Sequence, residues 1–233
     1  MRYAAVFFDA GETLVHPHPS FPDLLSRILI REGFDVPPER VRGRAHVVYE
    51  RFRSAAQANE LWTTSPDRSR RFWHEVYAIF FRELGVPNAN GLIDVVYGEF
   101  TDLANYRLFD DVPAVLERLR AAGLVLGVIS NFEEWLERLL EQLGVRPFFD
   151  VRVISGVEGV EKPDRRIFEL AMSRAGVAPD RSIYVGDNPE FDVAPALAAG
   201  MFPVLIDRRG RFETESVTRI SELGQLPEVL GLA

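Results

Sequence analysis

Four short apolar segments of the chain each end in polar residues. The segments are residues 4–8, 124–129, 151–154 and 182–185, and the residues that follow them are Asp9, Ser130-Asn131, Ser155-Gly156 and Gly186-Asp187. All four are short, contain β-branched or aromatic residues and do not alternate regularly with polar positions, which is typical of strands buried on both faces of a parallel sheet. We therefore predict four parallel strands with polar side chains at their carboxyl ends.

Helical patterns separate the later apolar segments. They cover residues 112–122, 133–143, 165–175 and 189–199, and a glycine follows each of them directly, where a helix end favours a left-handed residue. This alternation predicts an α/β domain with a doubly wound, mostly parallel, Rossmann-like sheet. Ligands of such sheets bind beyond the carboxyl ends of the strands, so the polar residues there are candidate site residues.

From about residue 18 to residue 105 the sequence predicts helices and no strand. The helical patterns lie near residues 22–32, 38–59, 66–84 and 92–105, and aromatic residues can give this region a core of its own: Trp62, Phe72, Trp73, Phe80 and Phe81. We predict an all-helical domain at residues 17–105, inserted into an α/β core domain made of residues 1–16 and 106–233.

Composition excludes several classes of function. The chain has 233 residues, 47% apolar and 27% charged, as in ordinary globular proteins, and its net charge of −8 does not suit nucleic-acid binding. With no cysteine it can form neither disulfides nor thiolate metal sites. No stretch has the roughly 20 apolar residues of a membrane helix. The apolar run before Asp9 is too short for a signal peptide. We expect a cytoplasmic protein, and the oligomeric state stays open.

One basic residue stands apart from the others. Lys162 is the single lysine among 27 lysines and arginines, and it lies in the segment Gly159-Val-Glu-Lys162-Pro163-Asp164. An exposed salt bridge would accept either residue type, whereas a site that needs a compact ammonium would not accept the broader guanidinium. A surface lysine before a turn proline is the simpler interpretation. Its position beside three other polar clusters favours a role in the site.

Four segments resemble, in order, the motifs of the haloacid dehalogenase superfamily. They are Val6-Phe-Phe-Asp9-Ala-Gly11-Glu-Thr13-Leu-Val15, Val128-Ile-Ser130-Asn131, Val160-Glu-Lys162-Pro163-Asp164 and Ile183-Tyr-Val-Gly186-Asp187-Asn-Pro-Glu-Phe-Asp192. The resemblance covers roughly residues 1–16 and 106–230. It implies a hydrolase core with a helical cap after the first motif.

The resemblance implies Asp9 as a nucleophile and a metal site beside it. Attack of Asp9 on phosphorus would form an aspartyl-phosphate, which divides one difficult displacement into two easier ones. Mg²⁺ would bind Asp9, Asp187 and the backbone carbonyl of Gly11, all of them hard oxygen ligands. Asp192 would support Lys162 or the metal, unless it is only an acidic residue on the first turn of a helix.

The remaining motif residues are implied as ligands of the phosphoryl oxygens. Ser130 and the backbone N–H of Asn131 would donate hydrogen bonds to those oxygens, and Lys162 would balance their charge. Ser130 and Asn131 are also good N-caps for a helix that begins near Glu133. Capping is compatible with the binding role, so the sequence leaves both interpretations open.

The sequence departs from the usual phosphatase pattern of the superfamily at Gly11. Phosphatases usually have a second aspartate there, which acts as general acid and base, and glycine has no side chain to move a proton. Glu12, where relatives often have glycine, is a possible substitute, although its offset should point it away from the site. His16 and His18 are further candidates because histidine titrates near neutral pH.

Three functions follow from these observations. The first is a Mg²⁺-dependent hydrolase of a small phosphorylated metabolite, slow because Gly11 replaces the general acid. The second is a hydrolytic 2-haloacid dehalogenase, which also lacks the second aspartate but needs no metal, so Asp187 argues against it. The third is a non-catalytic protein that binds a phosphorylated ligand. A phosphonate-cleaving relative would need a lysine in the cap, and this chain has none.

Overall fold

The computed structural model describes residues 2–58, 60–87, 91–212 and 217–232. The chain divides into two compact units: Met1–Val15 with Leu108–Ala233, and His16–Arg107. The strands are β1 (Ala5–Phe8), β2 (Val15–Pro17), β3 (Tyr106–Leu108), β4 (Val125–Ser130), β5 (Val151–Ile154), β6 (Ser182–Gly186), β7 (Phe202–Ile206) and β8 (Thr218–Ile220). The helices are α1 (Phe21–Arg31), α2 (Pro38–Arg42), α3 (His46–Gln57), α4 (Pro66–Leu84), α5 (Leu92–Thr101), α6 (Val112–Ala121), α7 (Leu136–Gln142), α8 (Ser155–Glu158), α9 (Arg166–Ala175), α10 (Ala194–Ala198) and α11 (Leu226–Val229).

The first unit is built on a six-stranded sheet in the order β5-β4-β1-β6-β7-β8. Its strand pairs are parallel. The predicted fold class, a doubly wound α/β domain with a mostly parallel sheet, is confirmed. β1 lies near the centre and is fully buried because both of its faces are apolar. β2 and β3 form a separate two-stranded sheet, at the points where the chain passes between the two units.

The register of the sheet brings the predicted polar residues to one edge. Phe8, the last residue of β1, pairs with Val128 of β4 and with Val185 of β6. Asp9, Ser130 and Asp187 therefore all lie one or two residues beyond these paired positions. Because parallel strands share a direction, their carboxyl ends meet at the same edge.

Two strands of the first unit were not predicted. β7 contains Pro203, a residue that is uncommon within strands, and β8 has only three residues. Both still pair in parallel at the side of the sheet beyond β6. On one face of the sheet, α9 contributes to a core that contains Phe7, Ile129, Val153, Phe168 and Tyr184.

The second unit is helical, with α1 to α5 as its main elements. The sequence correctly predicts α1 and α4, each of which has a serine N-cap and a proline at its first or second position. The helical stretch predicted near residues 38–59 consists of two helices, α2 and α3, with Gly43 at the end of α2. The last residue of that prediction, Asn59, lies outside the described residues.

The helix predicted at residues 92–105 is too long. α5 ends at Thr101, and the side chain of Asp102 accepts a hydrogen bond from the Ala104 N–H to start a separate 3₁₀ turn. The aromatic core is largely as expected, since Trp62, Phe72, Phe80 and Phe81 are buried. Within the described parts of the chain, none of the helices combines the length and the apolar character needed to cross a bilayer.

Candidate active site

Asp9 is held at the end of β1 by hydrogen bonds from two directions. Its backbone N–H donates to the carbonyl of Val185 at 2.8 Å. Its side chain is buried, and Oδ1 accepts hydrogen bonds from Ser130 Oγ at 3.0 Å and from Lys162 Nζ at 2.7 Å. Both of these side-chain hydrogen bonds end on Oδ1, so the other carboxylate oxygen is left for a ligand.

The ammonium of Lys162 is enclosed by three polar groups. Nζ donates to Asp9 Oδ1, to Asp192 Oδ1 at 2.6 Å and to the hydroxyl of Tyr184 at 3.0 Å, and the side chain is 4% exposed. Burial alone would lower the pKa of Lys162, but the carboxylates of Asp192 and Asp9 outweigh burial and raise the pKa above its ordinary value. Lys162 is therefore a buried cation and not a surface residue before a turn.

The side chain of Asn131 holds the backbone of Lys162. Its Nδ2 donates to the Lys162 carbonyl at 2.8 Å, and its Oδ1 accepts from the Lys162 N–H at 2.7 Å. The interpretation of Ser130 and Asn131 as helix caps is wrong, because α7 begins at Leu136 and has Trp135 at its N-cap position. The phosphate-binding role of the Asn131 N–H stays a prediction.

Asp192 is buried inside the site and is not a residue of a helix surface. Its Oδ1 accepts from Lys162 and from Tyr184, and its Oδ2 accepts from the Asn188 N–H at 2.9 Å. Both oxygens are thus engaged by donors, and Asp192 is better suited to orienting Lys162 than to binding a metal. The carboxyl carbon lies so close to Gly186 that a Cβ at that position would be 2.3 Å from it.

Three carboxylates come together at this edge of the sheet. One oxygen from each of Asp9, Asp187 and Asp192 lies within 4.8 Å of the other two. Burial, followed by the charges of Asp192 and Asp9, raises the pKa of Asp187 to about 8, against a lowering effect of Arg211. Burial also raises the pKa of Asp9 to about 6, where the charge of Lys162 opposes it. Crowded carboxylates of this kind fit a divalent cation, which would relieve their mutual repulsion.

Glu12 is the one residue other than glycine that has a positive φ in the described parts of the chain. Its φ is +56°, in the left-handed region that favours glycine. A glycine would adopt this conformation with less strain than Glu12 does. The carboxylate of Glu12 accepts a hydrogen bond from Arg209 at 2.7 Å, so it is engaged in an ion pair.

His16 and His18 are assigned to the second unit, with their rings 6.3 Å apart. Their candidacy as proton carriers stays a prediction.

A family model described as haloacid dehalogenase-like hydrolase matches residues 3–200. This chain belongs to the haloacid dehalogenase-like hydrolase family. Haloacid dehalogenase-like hydrolase domain-containing protein 3 of Mus musculus is 36% identical to this chain. The match covers 59% of this chain and 56% of that relative's own length. The chain thus spans about half of that relative.

Two further comparisons cover nearly the whole hydrolase. Glyceraldehyde 3-phosphate phosphatase of Methanothermobacter thermautotrophicus is 31% identical to this chain, and the match covers 97% of this chain and 99% of the phosphatase. The crystal structure of a 2-haloacid dehalogenase from Pseudomonas syringae pv. Tomato superposes with a TM-score of 0.62 at 26% identity and covers 98% of both chains. The family therefore contains both kinds of hydrolase that the sequence suggested.

Sequence reasoning missed two groups of residues in the hydrolase. Tyr184 lies in the buried strand β6, and its hydroxyl contacts both Lys162 and Asp192. The second group is the segment Asp207-Arg-Arg-Gly-Arg211, which follows the unpredicted strand β7. Arg211 donates to Asp187 at 3.0 Å. The three arginines that follow the apolar segment of β7 could have indicated a basic loop at the end of a strand.

Proposed function

We propose that this hydrolase is a phosphatase of small phosphorylated molecules that uses Asp9 as its nucleophile and requires Mg²⁺. One observation carries the proposal: Oδ1 of Asp9 is fixed by Ser130 and Lys162, which leaves its second oxygen for attack, beside the carboxylate of Asp187. A nucleophile, a fixed cation and an acidic metal site are the groups that phosphoryl transfer needs. The helical unit of residues 16–107 would serve as the cap.

In the proposed reaction, the free oxygen of Asp9 attacks phosphorus and the bond from phosphorus to the leaving oxygen breaks. Water then attacks the aspartyl-phosphate, which releases phosphate and restores the carboxylate. Lys162, Ser130 and the N–H of Asn131 stabilise the negative charge on the phosphoryl oxygens. Asp9, Asp187 and the carbonyl of Gly11 would hold Mg²⁺, whose charge lets a phosphate approach these carboxylates.

The chain lacks a general acid at position 11, where it has Gly11. Glycine cannot protonate the leaving oxygen, and the neighbouring carboxylate of Glu12 is paired with Arg209. General acid–base help is typically worth about 10²–10⁴-fold in rate. We therefore expect slow hydrolysis of alkyl phosphates and faster hydrolysis of aryl phosphates, whose leaving phenolates need little protonation.

A 2-haloacid dehalogenase is the second candidate, favoured by the missing acid at Gly11 and by the similarity to the Pseudomonas structure. In that reaction Asp9 would attack carbon and release halide. The raised pKa values of Asp187 and Asp9 support the phosphatase instead, because a reaction without a metal has no use for a third crowded carboxylate.

The test is a panel of aryl and alkyl phosphates with Mg²⁺ or EDTA, run beside halide release from 2-haloacids. Asp187→Asn should weaken Mg²⁺ binding at least tenfold. The matched control is Asp180→Asn, which changes an exposed aspartate near the opposite end of the same strand. Equal phosphatase rates in Mg²⁺ and in EDTA would contradict the metal site, and halide release without phosphate release would favour the second candidate.

Gly11→Asp tests the missing acid directly. Apart from its two chain neighbours, no described residue has a heavy atom within 4 Å of the position that a Cβ would take at residue 11, so the new side chain has room. It should speed the hydrolysis of alkyl phosphates more than that of aryl phosphates. Equal rates on both substrate types in the unmodified protein would show that another group already carries the proton. Binding of phosphate without turnover of any substrate would indicate a non-catalytic binding protein.

A further inference from the structure

A short loop after β7 is fixed in place beside the carboxylate of Asp187. Asp207 is buried, and its two side-chain oxygens accept hydrogen bonds from the backbone N–H groups of Arg211 at 2.9 Å and Phe212 at 3.0 Å. Gly210, with φ of +62°, forms the turn between them. The backbone of Arg211 is therefore held by a buried anchor, and only its side chain is free to change direction.

The guanidinium of Arg211 donates to Asp187 Oδ2 at 3.0 Å. The side chain of Arg211 is 41% exposed, and this contact with Asp187 is the one ion pair that it forms within the described part of the chain. A guanidinium has five N–H donors in a planar fork that matches the oxygens of phosphate. Most of its binding capacity is thus unused in this arrangement.

The charges around Asp187 explain why an arginine lies there. Asp9, Asp187 and Asp192 bring three carboxylates together, and Lys162 neutralises only one of them. Arg211 partly offsets the remaining negative charge through its contact with Asp187 Oδ2. A divalent cation bound to Asp187 would compete with the guanidinium, because both need the same carboxylate and repel each other.

We propose that Arg211 is a phosphate-binding residue that changes partner when the metal binds. Its guanidinium pairs with Asp187 in this structure. Where Mg²⁺ is bound to Asp187, the guanidinium would be displaced, and the released fork would bind an oxygen of the phosphate group of the ligand. This inference rests on the proposed Mg²⁺ site at Asp187. It makes the binding of metal and phosphate cooperative, since the first ligand frees a donor for the second.

Isothermal titration of two variants tests this exchange. Arg211→Gln should bind Mg²⁺ alone about tenfold more tightly than the parent protein, because the competing cation is gone. In saturating Mg²⁺ the same variant should bind inorganic phosphate about tenfold more weakly, because the donor is gone. Opposite changes in the two affinities are the signature of a residue that exchanges partners.

Arg209→Gln is the matched control. It removes the same charge from the same loop, and its side chain is 48% exposed, but its partner is Glu12 and not Asp187. A general effect of charge on the affinity for Mg²⁺ or phosphate should appear in both variants. The proposal is therefore tested by the difference between the affinities of the two variants. We expect Arg209→Gln to change both affinities less than threefold.

Three outcomes overturn the inference. If both variants change alike, only the net charge of the loop matters. If Arg211→Gln leaves phosphate affinity unchanged, the guanidinium is no phosphate ligand. If the parent protein binds no Mg²⁺, the metal site of the proposed function fails and the exchange fails with it. Normal binding of Mg²⁺ and phosphate by the parent, with no difference between the variants, would reject the role of Arg211 alone.

Discussion

Replacing Lys162 with methionine should destabilise the first unit far more than the loss of an ordinary ion pair does. The substitution keeps a long apolar stem and removes the ammonium, which donates three hydrogen bonds of 2.6–3.0 Å inside the site. Asp9 and Asp192 would then lose the cation that neutralises them. Both are buried, so water cannot replace the ammonium without opening the site.

The size of the effect follows from this burial. Removal of one partner from a buried ion pair typically costs about 3–5 kcal/mol, because the remaining charge is left uncompensated. For a chain of this size, 1 kcal/mol lowers the melting temperature by about 2–4 °C. We therefore expect Lys162→Met to lower the melting temperature of the first unit by about 6–20 °C.

Differential scanning calorimetry measures this change, with Arg166→Met as the control. Arg166 lies four residues after Lys162 and forms an ion pair with Asp164, but the side chain of Arg166 is 75% exposed. Exposed pairs contribute little, so the control should melt like the parent protein. An equal or higher melting temperature for Lys162→Met would refute the reasoning, because the desolvation of the ammonium would then outweigh its hydrogen bonds.

Three further substitutions test Lys162 and two other positions of the candidate site. Lys162→Arg should reduce turnover at least tenfold although the charge is kept, since a guanidinium is too broad for the space of one ammonium. Gly186→Ala should lower stability by about 1–3 kcal/mol and reduce turnover, because its Cβ would lie 2.3 Å from the carboxyl carbon of Asp192. Glu12→Gly should keep or raise the melting temperature and leave turnover intact, because relief of the left-handed strain, about 1–2 kcal/mol, offsets the lost ion pair with Arg209.

Melting curves and steady-state rates check all three. Gly98→Ala is the control for Gly186→Ala, because no described residue, apart from its chain neighbours and its own helix backbone, has a heavy atom within 4 Å of the position that its Cβ would take. Normal turnover in Lys162→Arg would show that any cation serves at this position. Unchanged stability in Gly186→Ala would mean that Asp192 can move freely. A tenfold loss of turnover in Glu12→Gly would identify Glu12 as the missing proton carrier.

The fold could be predicted where burial governs the sequence pattern. β1, β4, β5 and β6 are short segments largely buried in the sheet, so their composition reveals them. β8 was missed because three residues are too few to form a pattern. The sequence did not show the division of the helical stretch at residues 38–59 into two helices, which occurs at Gly43 after the end of α2.

The site could be predicted where its residues lie at strand ends, and the resemblance to the superfamily added Lys162 and Asp192. Asp9, Ser130 and Asp187 were identified because parallel strands bring their ends together. The side chain of Asn131 forms hydrogen bonds with the backbone of Lys162, 31 residues away in sequence. The ion pair of Arg211 with Asp187 joins residues 24 apart. Such contacts depend on the path of loops, and no local periodicity reports that path.

The burial of Lys162 has a consequence for the chemical reactivity of the protein. The chain has no other lysine, so its surface cations are guanidinium groups and its one side-chain amine is 4% exposed. An acylating reagent needs an unprotonated amine that it can reach, and this amine is protonated and enclosed. Acylation at Lys162 would therefore proceed only through local opening of the sheet edge. The mass added at this one residue over time would record how often this edge of the sheet opens, in a protein that carries no competing lysine.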